Sequence, residues 1–125
     1  MRNASTTDNR ITGEWEEARR PIASLISKSE KAGLKLRPGT GQHTMLRDNL
    51  KALHIGAALM DDEIGDSDFT RDDLQAALRV IAAMMSKTGK AKAKFSPGTS
   101  QHTLQRNRFN ALRLAKARIK SALDK

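Results

Sequence analysis

Trp15, Ala18, Ile22 and Leu25 follow one another at spacings of 3, 4 and 3, which sets them on one face of an α-helix. The same spacing returns 59 positions later at Leu74, Ala77, Ile81 and Met84. At that offset Leu50, Leu53 and Met60 stand opposite Phe109, Leu112 and Ile119, again at helical intervals. No stretch shows the period-two alternation of a half-buried strand. The pattern predicts an all-α protein of four helices, built as a tandem repeat of helix, basic loop, helix.

The boundaries follow from local signals. In the first copy, one helix is predicted from about Glu14 to Lys31, with Pro21 marking a kink or a late start, and a second from about Thr40 to Asp61. In the second copy, Thr70–Asp73 reads TRDD, a capping box that starts a helix running to about Thr88. The last helix is predicted from about Thr99 to Leu123. The organisation expected is a flexible N-terminus over 1–10, a first repeat over 11–60, an acidic connector over 61–69 and a second repeat over 70–123. The two repeats together make one domain. One helix pair cannot bury both apolar faces alone. The copies are therefore expected to pack face to face about a pseudo-twofold axis, like a homodimer fused into one chain. The expected core is Trp15, Ile22, Leu25, Leu50, Leu53, Leu74, Leu78, Ile81, Phe109 and Leu112, with Met60, Met84 and Met85 filling gaps.

The repeat is written most plainly between the helices. Residues 27–53 align with 86–112 without a gap, and 14 of the 27 pairs are identical. At the centre, PGTGQHT over 38–44 answers PGTSQHT over 97–103. Drift between two copies in one chain is visible directly, so what both keep is informative. They share Lys28/Lys87, Lys31/Lys90, Lys35/Lys94, Gly39/Gly98, Thr40/Thr99, Gln42/Gln101, His43/His102, Thr44/Thr103 and Arg47/Arg106. No carboxylate recurs: Glu30 faces Gly89 and Asp48 faces Asn107.

Charge sharpens this picture. The chain of 125 residues has 23 Lys and Arg against 14 Asp and Glu, a formal net charge of +9. Seven acids crowd residues 61–73, whereas residues 86–125 carry eleven Lys and Arg and a single acid. Such a balance attracts polyanions. Pro-Gly-Thr reads as a turn that delivers the chain to an N-cap at Thr40 or Thr99, leaving backbone N–H groups pointing outward at a helix start. Glycine there would admit a ligand close to the backbone. Gln42, His43 and Thr44 would lie in the first turn, and Arg47 one turn on would offer a fork to phosphate. The set Lys28, Lys31, Lys35, Gly39, Thr40, Gln42, His43, Thr44 and Arg47 is the first candidate anion site. Lys87, Lys90, Lys94, Gly98, Thr99, Gln101, His102, Thr103 and Arg106 form its counterpart. The competing explanation is that the string is a turn and a cap and nothing more.

Other chemistry finds little support. The spacing is not that of a P-loop, and no strand precedes it. The chain has no cysteine and three histidines, too few ligands for a usual zinc site. No pair of groups offers the divergent acidities of acid–base catalysis, so the chain is read as a non-enzymatic protein needing no cofactor. A second nucleic-acid reading rests on the last helix, where Arg108, Arg113, Lys116, Arg118 and Lys120 spread around the axis. Four aromatics are too few for a single-strand stacking platform. No apolar run approaches the roughly 20 residues that span a bilayer, and the first ten residues lack a signal-peptide apolar stretch. A cytoplasmic protein is expected, monomeric with internal pseudo-symmetry or assembled further.

The string P-G-T-x-Q-H-T, followed by an Arg and then Ala-Leu, resembles small helical proteins of bacteria and their phages. A short, basic, cysteine-free, duplicated chain is also similar to phage counter-defence proteins. Those include anti-CRISPR inhibitors and the sponges that sequester nucleotide immune signals. That resemblance implies a phosphate-rich nucleotide ligand at the two loops. Its alternative is a basic inhibitor that binds a host defence complex, or DNA or RNA. A structural or assembly role is the third expectation.

Overall fold

The structure is a computed structural model. It describes residues 2–60 and 69–124, with backbone alone for 2–15. Four helices follow in order: α1 (Arg2–Leu34), α2 (Gly41–Met60), α3 (Arg71–Ala93) and α4 (Ser100–Leu123). Among the described residues there is no strand.

The first helix of each repeat is longer than the apolar pattern predicts. α1 begins at Arg2, not near Glu14, and runs through Pro21 without ending. Proline there forgoes one backbone hydrogen bond, and burial of the neighbouring Ile22 holds the helix together across it. α1 and α3 also continue past Lys31 and Thr88, to Leu34 and Ala93. Each then tightens into a last i→i−3 bond, Lys35 N–H to Ala32 and Lys94 N–H to Ala91, both 3.2 Å. The capping box at Thr70 forms as expected: the Asp73 N–H donates to Thr70 Oγ1 at 3.0 Å, and the Thr70 N–H reaches back to Asp73. The acidic connector, up to residue 68, lies outside the described residues.

Short loops force antiparallel neighbours, and side-chain contacts complete the topology. Lys51 of α2 pairs with Asp73 of α3 at 3.0 Å. Arg71 at the start of α3 donates to the Leu123 carbonyl at the end of α4. Arg108 of α4 reaches Ser24 of α1. The bundle therefore runs up, down, up, down, with α2 and α4 parallel across its diagonal. The two loops, 35–40 and 94–99, come to the same end.

The core is a stripe from each helix. Ile22, Leu53, Ile81, Leu112 and Ile119 are fully buried, each stabilising by about 1.5–3 kcal/mol. Leu25 and Leu74 join them as expected. Leu50, Leu78 and Phe109, expected inside, are half-buried. Ala18 and Ala77 of the predicted faces are buried too, and Ala52, Ala111 and Ala115 join them. The side chain of Trp15 lies outside the described residues. At the α2–α4 diagonal, a Cβ built on Gly56 would stand 2.9 Å from that of Ala115. These two positions are 59 apart. One turn on, Arg118 Nε donates to the Leu59 carbonyl at 3.0 Å, joining two further positions separated by 59.

Candidate functional site

The two loops are built alike, bond for bond. Arg37-Pro38-Gly39-Thr40 is a turn of type II, with proline at its second position and Gly39 at φ 90°. The Thr40 N–H closes it on the Arg37 carbonyl at 3.3 Å. The Thr40 hydroxyl donates to the same carbonyl at 2.9 Å and accepts from the His43 N–H at 3.2 Å. In the second loop Gly98 has φ 91°. The Thr99 N–H and hydroxyl meet the Ser96 carbonyl at 3.2 and 2.8 Å, and the His102 N–H meets Thr99 Oγ1 at 3.2 Å.

This geometry explains half of the repeated string. Proline presets the turn, glycine supplies a φ that other residues adopt only with strain, and threonine turns the corner and caps the helix. Glycine has a conformational role here, beside any part in admitting a ligand. Both glycines face open space, with no atom within 4 Å of where a Cβ would stand, so the loops are uncovered. The turn does not require Gln42, His43, Thr44, Gln101, His102, Thr103 or the recurring Lys and Arg.

Those residues gather at the loop end. Lys28 and Lys31 sit on the last turns of α1 and Lys35 follows it; Lys87 and Lys90 hold the same places on α3, with Lys94 after it. Arg47 and Arg106 stand two turns into α2 and α4. Adding Arg37 and Lys92, residues 28–47 and 87–106 hold ten Lys and Arg and one acid, Glu30. None of the ten makes an ion pair among the described residues. Lys92 instead lies over the Phe109 ring, 5.3 Å from its centre, where a cation is attracted to the π face. His43 and His102 are half-buried; Gln42 and Gln101 are exposed. Among the described residues, the large apolar side chains left exposed, Leu34, Met45, Phe95 and Leu104, are all at this end as well.

The cations further along α4 have different surroundings. Arg108 and Arg118 are half-buried and hold Ser24 and the Leu59 carbonyl. Arg113, Lys116 and Lys120 lie further along α4, away from the loops. Among the described residues no group of three His, Asp or Glu side chains could hold a metal ion, and no helix is long and apolar enough to cross a membrane.

Grooves join the two repeats on both sides: one of about 500 Å³ between α1 and α4, lined by Glu17, Asn107, Asn110 and Arg113, and another between α2 and α3. About 450 Å³ in volume, the latter opens between the first turns of α2 and the middle of α3, so that Thr44 of one copy and Lys87 of the other share its wall. The sequence reading missed its other polar members, Arg79, Asp48 and Asn49. Arg79 carried a signal, since Arg20 stands 59 positions before it. Asn49 carried one of the opposite kind, being matched by Arg108. Comparison with known proteins finds no family model, no curated protein and no solved structure that matches this chain.

Proposed function

We propose that this chain is a non-enzymatic binding protein that takes a phosphate-rich nucleotide at its loop end and withdraws it from circulation. The observation that carries this reading is the composition of that end. Ten cations without an ion pair among the described residues share one face with two open helix N-termini and four exposed apolar side chains. Cations and helix starts suit phosphate. The apolar groups give a nucleobase something to lie against, which bare phosphate would not use. Open loops with no carboxylate bonded to either histidine among the described residues favour holding a ligand over transforming it. Two further contacts support a pseudo-twofold arrangement of the repeats. Gly56 against Ala115, and Leu59 against Arg118, each join positions 59 apart, as residues beside such an axis must.

The test is native mass spectrometry of the chain with ribonucleoside 5′-monophosphates, cyclic dinucleotides and a short DNA duplex. A discrete nucleotide adduct is expected, lost in the Lys28→Glu, Lys87→Glu double variant. The spread of the ten cations over an open face favours one second reading, a nucleic-acid backbone as the ligand. Binding of the duplex alone, falling steeply with salt, would establish that reading and remove the first. No adduct of any kind would leave the repeated string as a turn and a cap.

A further inference from the structure

The two repeats are alike in their loops but not in the space beside them. Between α2 and α3 the groove is open, and Asn49 stands on its wall. The offset of 59 puts Arg108 where Asn49 stands and Ser24 where Ala83 stands. In that second place the Arg108 guanidinium crosses from α4 to Ser24 Oγ of α1, 3.4 Å away, and its Nε is buried without a partner. Arg108 thus bridges α4 and α1 at the positions that Asn49 and Ala83 leave unbridged between α2 and α3; the groove that stays open between α1 and α4 lies beside it, lined by Glu17, Asn107, Asn110 and Arg113. We infer that the chain holds one ligand, not two: a mononucleotide-sized phosphate ester in the α2–α3 groove, with the equivalent position between α4 and α1 bridged by Arg108. This rests on the nucleotide-binding reading above.

The walls say which way the ligand lies. On α3, Arg79 and Lys87 are eight residues apart, about 12 Å along the helix, with Val80, Ala83 and Met84 between them. A cation at each end of an apolar stretch matches a ligand with a flat apolar body and a charged end. Lys87 is the cation beside Thr44 and the start of α2, where the free N–H groups and the helix dipole favour an anion. The phosphate belongs there. The base then lies over Met84 and Met45, and its polar edge meets Asn49 and Asp48. Asp48, one turn further along α2 than Thr44 and sharing a second hollow with Arg79, serves as an acceptor for an amino group. A volume near 450 Å³ lies within the usual range for small-ligand pockets.

The experiment uses the four ribonucleoside 5′-monophosphates as probes on the full chain. Native mass spectrometry counts adducts, and ¹³C-methyl methionine NMR locates them. One adduct per chain is expected, with the Met45 and Met84 methyls shifting and the core methyl of Met60 still. Asn49→Arg should copy the bridged half and weaken binding at least tenfold. Ala83→Leu, which fills the groove from the opposite wall, guards against a folding defect in that variant. Arg108→Asn should open the second place and raise the count to two. Two adducts in the unaltered chain, or one adduct indifferent to both Asn49→Arg and Ala83→Leu, would overturn the single-groove inference and leave the nucleotide reading standing. Binding of cyclic dinucleotides but no monophosphate would do the same. If no nucleotide of either kind binds, both fall together.

Discussion

Gly56 is where helix propensity and packing make opposite demands, so Gly56→Ala decides which governs the bundle. Glycine inside a helix costs about 1 kcal/mol relative to alanine, and on that ground alone the substitution should stabilise. The contact says otherwise. The new Cβ would stand 2.9 Å from the Ala115 Cβ, whereas ordinary contact begins at 3.4 Å, a shortfall of at least 0.5 Å. A methyl group has no rotamer to escape into, so α2 and α4 must separate, loosening fully buried Leu53, Leu112 and Ile119 beside them. Overpacking of this kind costs about 1–3 kcal/mol. The net expectation is a loss of about 1 kcal/mol, or roughly 4 °C in melting temperature for a chain of this length. Ala115→Gly alone should also cost about 1 kcal/mol. The double variant moves the same methyl across the contact and should return close to the parent, a coupling of about 2 kcal/mol in the cycle. Thermal unfolding by circular dichroism reads all four proteins. If Gly56→Ala raises the melting temperature, the close diagonal contact is wrong.

Other consequences are as direct. Gly39→Ala and Gly98→Ala should each destabilise by about 1–2 kcal/mol, because both glycines sit at φ near 90°; chemical denaturation should find the two costs equal within error. Thr40→Ala and Thr99→Ala should each cost about 1 kcal/mol from the lost cap, and calorimetry on the same proteins shows whether nucleotide affinity falls by more than the stability loss explains. Asp73 should add an acid-sensitive component. Its hydrogen bond from Lys51, and those from the Thr70 hydroxyl and N–H, hold its carboxyl below the ordinary 3.8. A depressed folded-state value means that this contribution is complete above the unfolded value and disappears as pH falls through the folded one. Urea melts should therefore show Asp73→Asn less stable than the parent near neutral pH and converging with it at the acid end; a constant difference would dismiss the ion pair and capping box as its source.

The helices, their order and the two caps are readable from the chain because each is a local matter. Apolar spacing marks a face, TRDD marks a start, and Pro-Gly-Thr marks a turn. The helix ends are misplaced where nothing local forbids continuation: Gly33 and Gly89 look like stops, yet the chain stays helical until the type II turn takes over. Periodicity finds Ala18 and Ala77 on their faces, but a search for large core residues overlooks Ala52, Ala111 and Ala115. Small residues become central only when two helices cross closely, and that depends on a partner the periodicity of one helix does not know. The candidate residues near the loops are legible through their recurrence. The groove is not, for it lies between the second helix of one repeat and the first helix of the other. Asn49 lines it where the other copy has Arg108, and attention to recurrence looks only at what agrees.

The loops also have a use apart from any ligand. Each hydrogen bond that shapes the first loop joins residues within 32–44, and in the second within 91–103. None of these bonds calls on the rest of the bundle. A connector that folds on its own instructions is portable: the stretch from Lys35 to Thr44 can be grafted between the helices of an unrelated antiparallel hairpin and should reverse the chain there with the same turn and cap.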